Sequence, residues 1–153
     1  MRYMALDVGD ERIGVALSDQ MGHLARPLEI IARRPGPSSF LRIAAIVADQ
    51  GVGTIVVGLP LMPDGSEGEQ VRSTRAYVDG LRQHVDVPIV MWDERLTTFR
   101  AREIIAEQDA GRGARGRAMG DSRKARRRRH DDAVAAAVIL QEYLDAHSGG
   151  PTP

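Results

Sequence analysis

The pattern of apolar and polar positions predicts three β-strands at the start of the chain. Residues 2–8 form an apolar run that ends at a tight-turn sequence, Gly9-Asp10-Glu11. Residues 12–18 then alternate between large apolar side chains and small or polar ones. A period of two beside a tight turn predicts an antiparallel hairpin. The segment "PLEIIAR" at 27–33 is typical of a third strand.

The rest of the chain alternates between helical and strand patterns. Apolar side chains recur at helical spacing after Ser38, over 71–85 and over 97–108. The apolar runs at 54–58 and 87–92 are short, as in buried parallel strands. A final helix is expected to begin near Asp131. The order β-β-β-α-β-α-β-α-loop-α predicts an α/β fold: a five-stranded mixed sheet (an antiparallel hairpin meander plus parallel βαβ strands) with helices on both faces.

The composition is that of a soluble globular protein, with 42% hydrophobic and 27% charged residues among 153. This length predicts one domain, over residues 1–147, followed by a disordered tail at 148–153. The absence of cysteine excludes disulfides and thiolate metal sites. Neither a signal-peptide pattern nor a run of about 18 apolar residues is present, so we expect a cytoplasmic protein without membrane contact.

Positive charge is concentrated in one segment. The chain has a formal net charge of zero, yet residues 111–130 hold nine of its 21 Lys and Arg residues and one acid, Asp121. Glycine and arginine dominate this segment, which predicts a flexible basic loop. An acidic body with a basic segment favours a polyanionic partner such as nucleic acid. The alternative is a solvated loop without a partner.

Carboxylates stand where predicted strands end and where the last helix opens. Asp7 ends the first strand, Asp93 and Glu94 end the last, and Asp131 and Asp132 precede the final apolar helix. Ligands of α/β sheets bind outside the carboxyl ends of the strands, so these acids are candidate ligating groups. Each also has a local explanation, as a turn cap, a surface ion-pair partner or a helix N-cap.

The three positions together predict a metal site. If the first and last strands are neighbours, acids from distant parts of the chain converge, and clustered carboxylates repel unless they bind protons or cations. Oxygen ligands favour Mg²⁺ or Mn²⁺, and a pair of such ions suits in-line displacement at phosphorus. Both faces of the last strand are apolar, so the pattern leaves open whether Asp93 or Glu94 faces Asp7.

Five motifs carry a resemblance to a known family. They are "ALDVGDERIGVALSD", "ARPLEII", "IVVGLPLMPDGSEGEQ", "DERLTT" and "DDAVAAAVILQEYLD", in this order over residues 4–145. In these motifs the chain resembles the YqgF family, also called RuvX. The resemblance implies a ribonuclease H-like fold, similar to that of the Holliday junction resolvases. It also implies a nuclease that matures the 5′ end of pre-16S rRNA during ribosome biogenesis.

The resemblance implies a specific set of acids. Asp7, Glu94 and Asp132 would be the catalytic residues and would hold the divalent ions, with Asp7 bridging two of them. Asp93 would be an outer or structural residue. Asp131 is an additional acid beside the family position, so it remains a less favoured ligand.

The resemblance and the basic segment together suggest which residues bind nucleic acid. The candidates are Arg12, Arg95, Thr97, Thr98, Lys124, Arg126, Arg127, Arg128 and Arg129. Helix capping is the alternative for the two threonines. Contacts with the phosphate backbone carry little base information, so pre-rRNA and branched DNA both remain open as substrates. Endonuclease or exonuclease action and a monomeric or homodimeric state also stay open.

Two other classes of function compete with the nuclease. The sequence "DVGD" before a hairpin also resembles the phosphate loop of actin-like ATPases and sugar kinases, although those proteins need two such domains. A non-catalytic RNA-binding factor for ribosome assembly would keep the fold without turnover. Binding of ATP would distinguish the first, and loss of cleavage in an Asp7→Asn variant would distinguish the second.

Overall fold

A computed structural model describes residues 1–96, 105 and 122–148 of the chain. Its five strands are β1 (Arg2–Val8), β2 (Arg12–Ser18), β3 (Ala25–Ala32), β4 (Val52–Leu59) and β5 (Ile89–Asp93). They form one sheet in the order β3-β2-β1-β4-β5. The β1–β2 and β2–β3 pairs are antiparallel, whereas β1–β4 and β4–β5 are parallel. The predicted mixed sheet is therefore confirmed, with β1 at its centre.

Two helical layers cover the sheet. Helices α1 (Ser38–Gln50) and α2 (Glu69–Leu81) pack on one face against large aliphatic side chains such as Leu6 and Val57. Helix α3 (Ser122–Ser148) packs on the other face against small residues, among them Ala5 and Ala16. The small side chains under α3 allow its backbone to lie close to the sheet. None of the helices in the described ranges combines the length and the apolar character needed to cross a bilayer.

The turn between β1 and β2 is fixed by a glycine. The Gly9 N–H donates to the Arg12 carbonyl oxygen over 2.8 Å. A Cβ on Gly9 would lie 2.9 Å from that same oxygen, so only glycine fits without a backbone shift. The turn therefore sets the direction in which both strands leave it, and with it the position of the residues on either side.

Helix α3 begins earlier than the sequence pattern indicates. It starts at Ser122, so the prediction of a loop over 111–130 is wrong for residues 122–130. Arginine, lysine and alanine are strong helix formers, and no glycine or proline interrupts this segment after Gly120. Repulsion between like charges one turn apart costs only a few tenths of a kcal/mol per pair, less than the gain from continuing a formed helix.

Three predicted features lie largely outside the described residues. The helix expected over 97–108 is represented by Ile105, which is helical and buried in the core under α3. Residues 111–121 of the basic segment and 149–153 of the predicted tail are also outside the described ranges.

Candidate functional site

Asp7 lies on the central strand and faces α3. It lies two residues after Ala5 on β1 and therefore on the same face of the sheet, and Ala5 belongs to the core under that helix. Burial, followed by the negative charge of Asp132, raises the pKa of Asp7 from 3.8 to about 6. No hydrogen bond to this carboxylate is found among the described residues. The strand therefore places a buried carboxylate, whose ionised form is disfavoured, on the α3 face of the sheet.

Gly14 brings Asp132 to this carboxylate. It pairs with Asp7 across the β1–β2 ladder. A Cβ on Gly14 would collide with the Asp132 carbonyl oxygen and would lie 2.6 Å from its carbonyl carbon and 3.2 Å from the Ala133 nitrogen. The missing side chain thus allows the α3 backbone to touch β2 beside Asp7. The prediction of an apolar helix face holds here, since Ala133, Ala136 and Leu140 are buried.

Asp132 is not a helix cap. It lies about three turns past Ser122, the first residue of α3, so its local explanation as an N-cap is wrong. Its carboxylate instead forms an ion pair with Arg12, with 3.0 Å between Nε and Oδ2. A carboxylate in mid-helix, directed at a second carboxylate and an arginine, has no role in helix termination.

Glu94 reaches the site across an intervening strand. The condition considered from the sequence, that the first and last strands are neighbours, is not met, because β4 lies between β1 and β5. On β4, the strand between Asp7 and Glu94, the residue beside Asp7 is Gly58. It follows Val57, the partner of Leu6. A Cβ there would lie 2.5 Å from Glu94 Oε1, so the Glu94 carboxylate occupies the space above the glycine. Strands two places apart are separated by about 10 Å, which the longer glutamate side chain helps to span.

The structure distinguishes the two acids that the sequence pattern left open. Glu94 continues the face of Trp92, which belongs to the core under α3. Burial, then the charges of Asp7 and Asp93, raise the pKa of Glu94 from 4.5 to about 7. Asp93 is bound by the Arg95 side chain, whose hydrogen bond lowers the pKa of Asp93. Glu94 therefore interacts electrostatically with Asp7, whereas Asp93 is paired with Arg95.

The donor set fits a divalent cation. Asp132 repels Asp7 and Asp7 repels Glu94, and such repulsion is relieved by a bound cation or by protons. Hard oxygen ligands suit Mg²⁺ or Mn²⁺. In the described ranges, however, no three acidic or histidine side chains are grouped closely enough to hold a metal ion. Asp132, which is paired with Arg12, would have to join the other two carboxylates.

The sequence as a whole matches one family. A family model described as "RuvX: Holliday junction resolvase" matches residues 1–146. The chain belongs to the RuvX family. This membership confirms the resemblance carried by the five motifs, which span the same part of the chain.

Curated relatives and a solved structure agree with this membership. A "Putative pre-16S rRNA nuclease" of Pelotomaculum thermopropionicum is 41% identical over 100% of this chain and 96% of its own length. A protein of the same name from Anaeromyxobacter sp. is 44% identical over 95% of this chain and 97% of its own. Thermus thermophilus RuvC, solved with a Holliday junction substrate, superposes with a TM-score of 0.56 at 14% identity, covering 97% and 96% of the two chains. This likeness confirms the resolvase-like, ribonuclease H-like fold of this RuvX member.

Arg95 has a structural partner in this RuvX protein. Its backbone N–H donates to Asp93 Oδ1 over 2.9 Å, and its Nη2 lies 2.8 Å from Asp93 Oδ2. Its Nη1 donates to the Pro63 carbonyl over 3.4 Å and lies close to Gly65. Arg95 thus ties the short turn after β5, Glu94–Leu96, to the loop that follows β4. Nucleic-acid contact by Arg95 stays a prediction.

The other predicted contact residues are only partly described. Thr97 and Thr98 lie outside the described residues. Positions 124 and 126–129 belong to the α3 backbone, and their side chains are outside the described set, as is that of Asp131. Their predicted contacts with phosphates remain predictions.

Sequence reasoning missed the residues that shape the RuvX site without ligating anything. Gly14 and Gly58 read as ordinary small residues in strands, and only the close approach of backbone or carboxylate atoms reveals their role. Arg33 donates to the Gly9 carbonyl and to Ser73 Oγ, each over 3.0 Å, which ties the β1–β2 turn to α2. The arginine pair after β3, Arg33-Arg34, carries no sequence signal for such a contact.

Proposed function

We propose that this protein is a divalent-metal-dependent nuclease that hydrolyses phosphodiester bonds, with Asp7, Glu94 and Asp132 as its ligating carboxylates. The observation that carries the proposal is that two acids from distant parts of the chain each approach Asp7: Asp132 beside Gly14, and Glu94 above Gly58. A protein that only binds RNA would gain from losing this negative charge, because it repels phosphates. Membership in the RuvX family supports the same reaction class.

Each acid has a distinct task in this proposal. Asp7, at the centre of the sheet, faces both other carboxylates and would be shared between two ions. Glu94 and Asp132 approach from opposite sides of β1 and would each help to hold one. When bound, divalent ions lower the pKa of water and stabilise the leaving oxygen of an in-line displacement. From this reaction class we infer products with 5′-phosphate and 3′-hydroxyl ends.

The substrate we propose is the 5′ end of pre-16S rRNA. The names of relatives about 40% identical over nearly their whole length support it. The basic first third of α3, residues 122–130, supplies cations on the same helix as Asp132. We propose that Lys124 and Arg126–Arg129 neutralise backbone phosphates, so that affinity falls steeply with salt.

Branched DNA is the second candidate substrate. The description of the matching family model, a Holliday junction resolvase, favours it. Resolving a junction needs cuts on paired strands, which a two-fold homodimer would place symmetrically. A monomer would suffice for trimming an RNA end.

The test is cleavage of end-labelled single-stranded RNA, a pre-16S 5′-end fragment and a synthetic four-way DNA junction. Each is incubated with Mg²⁺, Mn²⁺ or EDTA. We expect cleavage only with a divalent ion, and loss of cleavage with retained binding in Asp7→Asn. The preferred substrate then separates rRNA processing from junction resolution.

Adjacent acids provide matched controls. Asp131→Asn removes one carboxylate next to Asp132, and in an α-helix successive residues differ in direction by about 100°. We expect Asp132→Asn to abolish cleavage and Asp131→Asn to preserve it. Binding without cleavage of any substrate, in every metal, would instead support a non-catalytic assembly factor.

A further inference from the structure

We propose that Arg12 is an internal counter-ion of Asp132: it holds this carboxylate until a divalent cation replaces it, and then contacts a substrate phosphate. Metal and nucleic acid would therefore bind cooperatively. This inference rests on the proposed function, since it assumes that Asp132 is a metal ligand.

The ion pair joins two side chains whose backbones are fixed. The Arg12 carbonyl accepts the Gly9 N–H, and Arg12 pairs with Ala32 of β3. The Asp132 backbone is packed against Gly14. Neither residue can leave the site by a backbone movement that the rest of the fold would tolerate. A change of partner must therefore be a rotation of the two side chains.

The pair is poised to separate. Its Nε–Oδ2 distance is 3.0 Å, but the side chains of Arg12 and Asp132 are 36% and 34% exposed. Ion pairs this accessible to water are weak, so a divalent cation on Asp132 can displace the guanidinium. Once displaced, Arg12 would be repelled by the cation and would stand at the edge of the site. Guanidinium groups bind phosphate oxygens through several N–H donors at once.

The exchange of Arg12 from Asp132 to a substrate phosphate would also complete the proposed metal site. In the described part of the chain no three candidate ligands are grouped, and Asp132 is engaged by Arg12. A substrate phosphate that attracts Arg12 would free Asp132 for the cation. By reciprocity, the cation would raise the affinity for the phosphate by the same factor.

The test is calorimetric titration of Mg²⁺ and Mn²⁺ into the whole protein without nucleic acid. Four forms are compared: wild type, Arg12→Gln, Asp132→Asn and the double variant. We expect Arg12→Gln to bind metal about threefold to fivefold more tightly, as expected from the loss of a partly exposed ion pair. In the Asp132→Asn background, the Arg12 substitution should change nothing, because there is no ligand left to release.

A second titration includes a short phosphorothioate RNA oligomer, which resists hydrolysis. The oligomer should tighten metal binding by wild type and by Arg12→Lys, which keeps the charge, but not by Arg12→Gln. If Arg12→Gln tightened metal binding equally with Asp132 and with Asn at position 132, the inference would be overturned. The gain would then come from the loss of a positive charge in general and not from breaking the Arg12–Asp132 pair. Unchanged metal affinity in Arg12→Gln would also overturn it. Asp7→Asn is titrated as a fifth form, and if it loses the metal binding that wild type shows, the proposed function still stands. Failure of every form to bind metal would overturn the proposed function itself.

Discussion

Replacing Asp7 by asparagine should stabilise the metal-free protein at neutral pH. The folded environment raises the pKa of Asp7 from 3.8 to about 6, so its ionised form costs about 3 kcal/mol in the folded state at pH 8. Asparagine keeps the shape and removes the charge, but its partly buried amide loses some hydration. We therefore expect a net gain of about 2 kcal/mol in the free energy of unfolding. For a chain of this length, that gain raises Tm by roughly 4–8 °C.

The sign of the pH dependence follows from proton binding. Between pH 4 and pH 6 the folded wild type holds a proton on Asp7 that the unfolded chain has released. The free energy of unfolding therefore falls as pH rises through this window. Glu94, whose pKa is raised to about 7, extends the decline towards neutrality. The advantage of Asp7→Asn should be full at pH 8 and should vanish as pH approaches 4.

The assay is thermal unfolding by circular dichroism between pH 4 and pH 8, with EDTA or with saturating Mg²⁺. Asp93→Asn serves as control, since Arg95 lowers the pKa of Asp93 and its loss should not stabilise the fold. Magnesium at about 100 times its Kd should add about 2.7 kcal/mol to wild type and little to Asp7→Asn. A lower Tm for Asp7→Asn in EDTA at pH 8 would refute the reasoning, because the carboxylate would then be stabilising.

Three further substitutions test the site and its frame. Glu94→Gln should reduce cleavage at least 100-fold, whereas Asp93→Asn should keep most of it; equal losses in the labelled-substrate assay would contradict the assignment. Gly14→Ala should push α3 away from β2 at Asp132, with about 1–3 kcal/mol lost in chemical unfolding and cleavage impaired beyond that loss; wild-type behaviour would contradict the close approach. Gln141→Leu leaves the partners of three hydrogen bonds unsatisfied and should cost about 2–4 kcal/mol in chemical unfolding, with metal affinity unchanged.

The strands of this fold could be predicted because their patterns are local. The β1–β2 hairpin follows from alternation and from Gly9, and the predicted bounds 2–8 and 12–18 match β1 and β2. The bounds of β3, β4 and β5 differ from the predicted runs by one or two residues at each end. Position in the sheet is a different matter. That β4 separates β1 from β5 depends on the order of crossovers, which no single strand encodes. Glu94 comes near Asp7 across β4 because Gly58 carries no side chain that would fill the space between them.

The choice between Asp93 and Glu94 could not be made from the strand itself. Both of its faces are covered by helices, so apolar residues occupy both, and alternation gives no direction. The family resemblance favoured Glu94, and the geometry now gives a physical reason. Glu94 extends over Gly58, while Asp93 is held by Arg95.

Helix α3 starts earlier than predicted because the glycines that predict a loop all lie before residue 121. The arginine-rich residues after Ser122 contain no glycine or proline and favour a helix. Contacts between distant segments were also beyond sequence reasoning. Gln141 accepts a hydrogen bond from the Ala25 N–H and donates one to the His23 carbonyl, and only the assembled fold brings these groups together.

Because α3 is one continuous helix, it fixes the orientation of the arginine-rich stretch relative to Asp132. Each residue between them advances the helix by about 1.5 Å and turns it by about 100°. Substitutions within 122–131 leave this phase unchanged, so the stretch can vary in composition among descendants of this gene. An insertion or deletion of one residue would instead rotate the whole arginine-rich stretch relative to the carboxylates. Selection should therefore act on the spacing before Asp132 more strictly than on the identity of the residues that fill it.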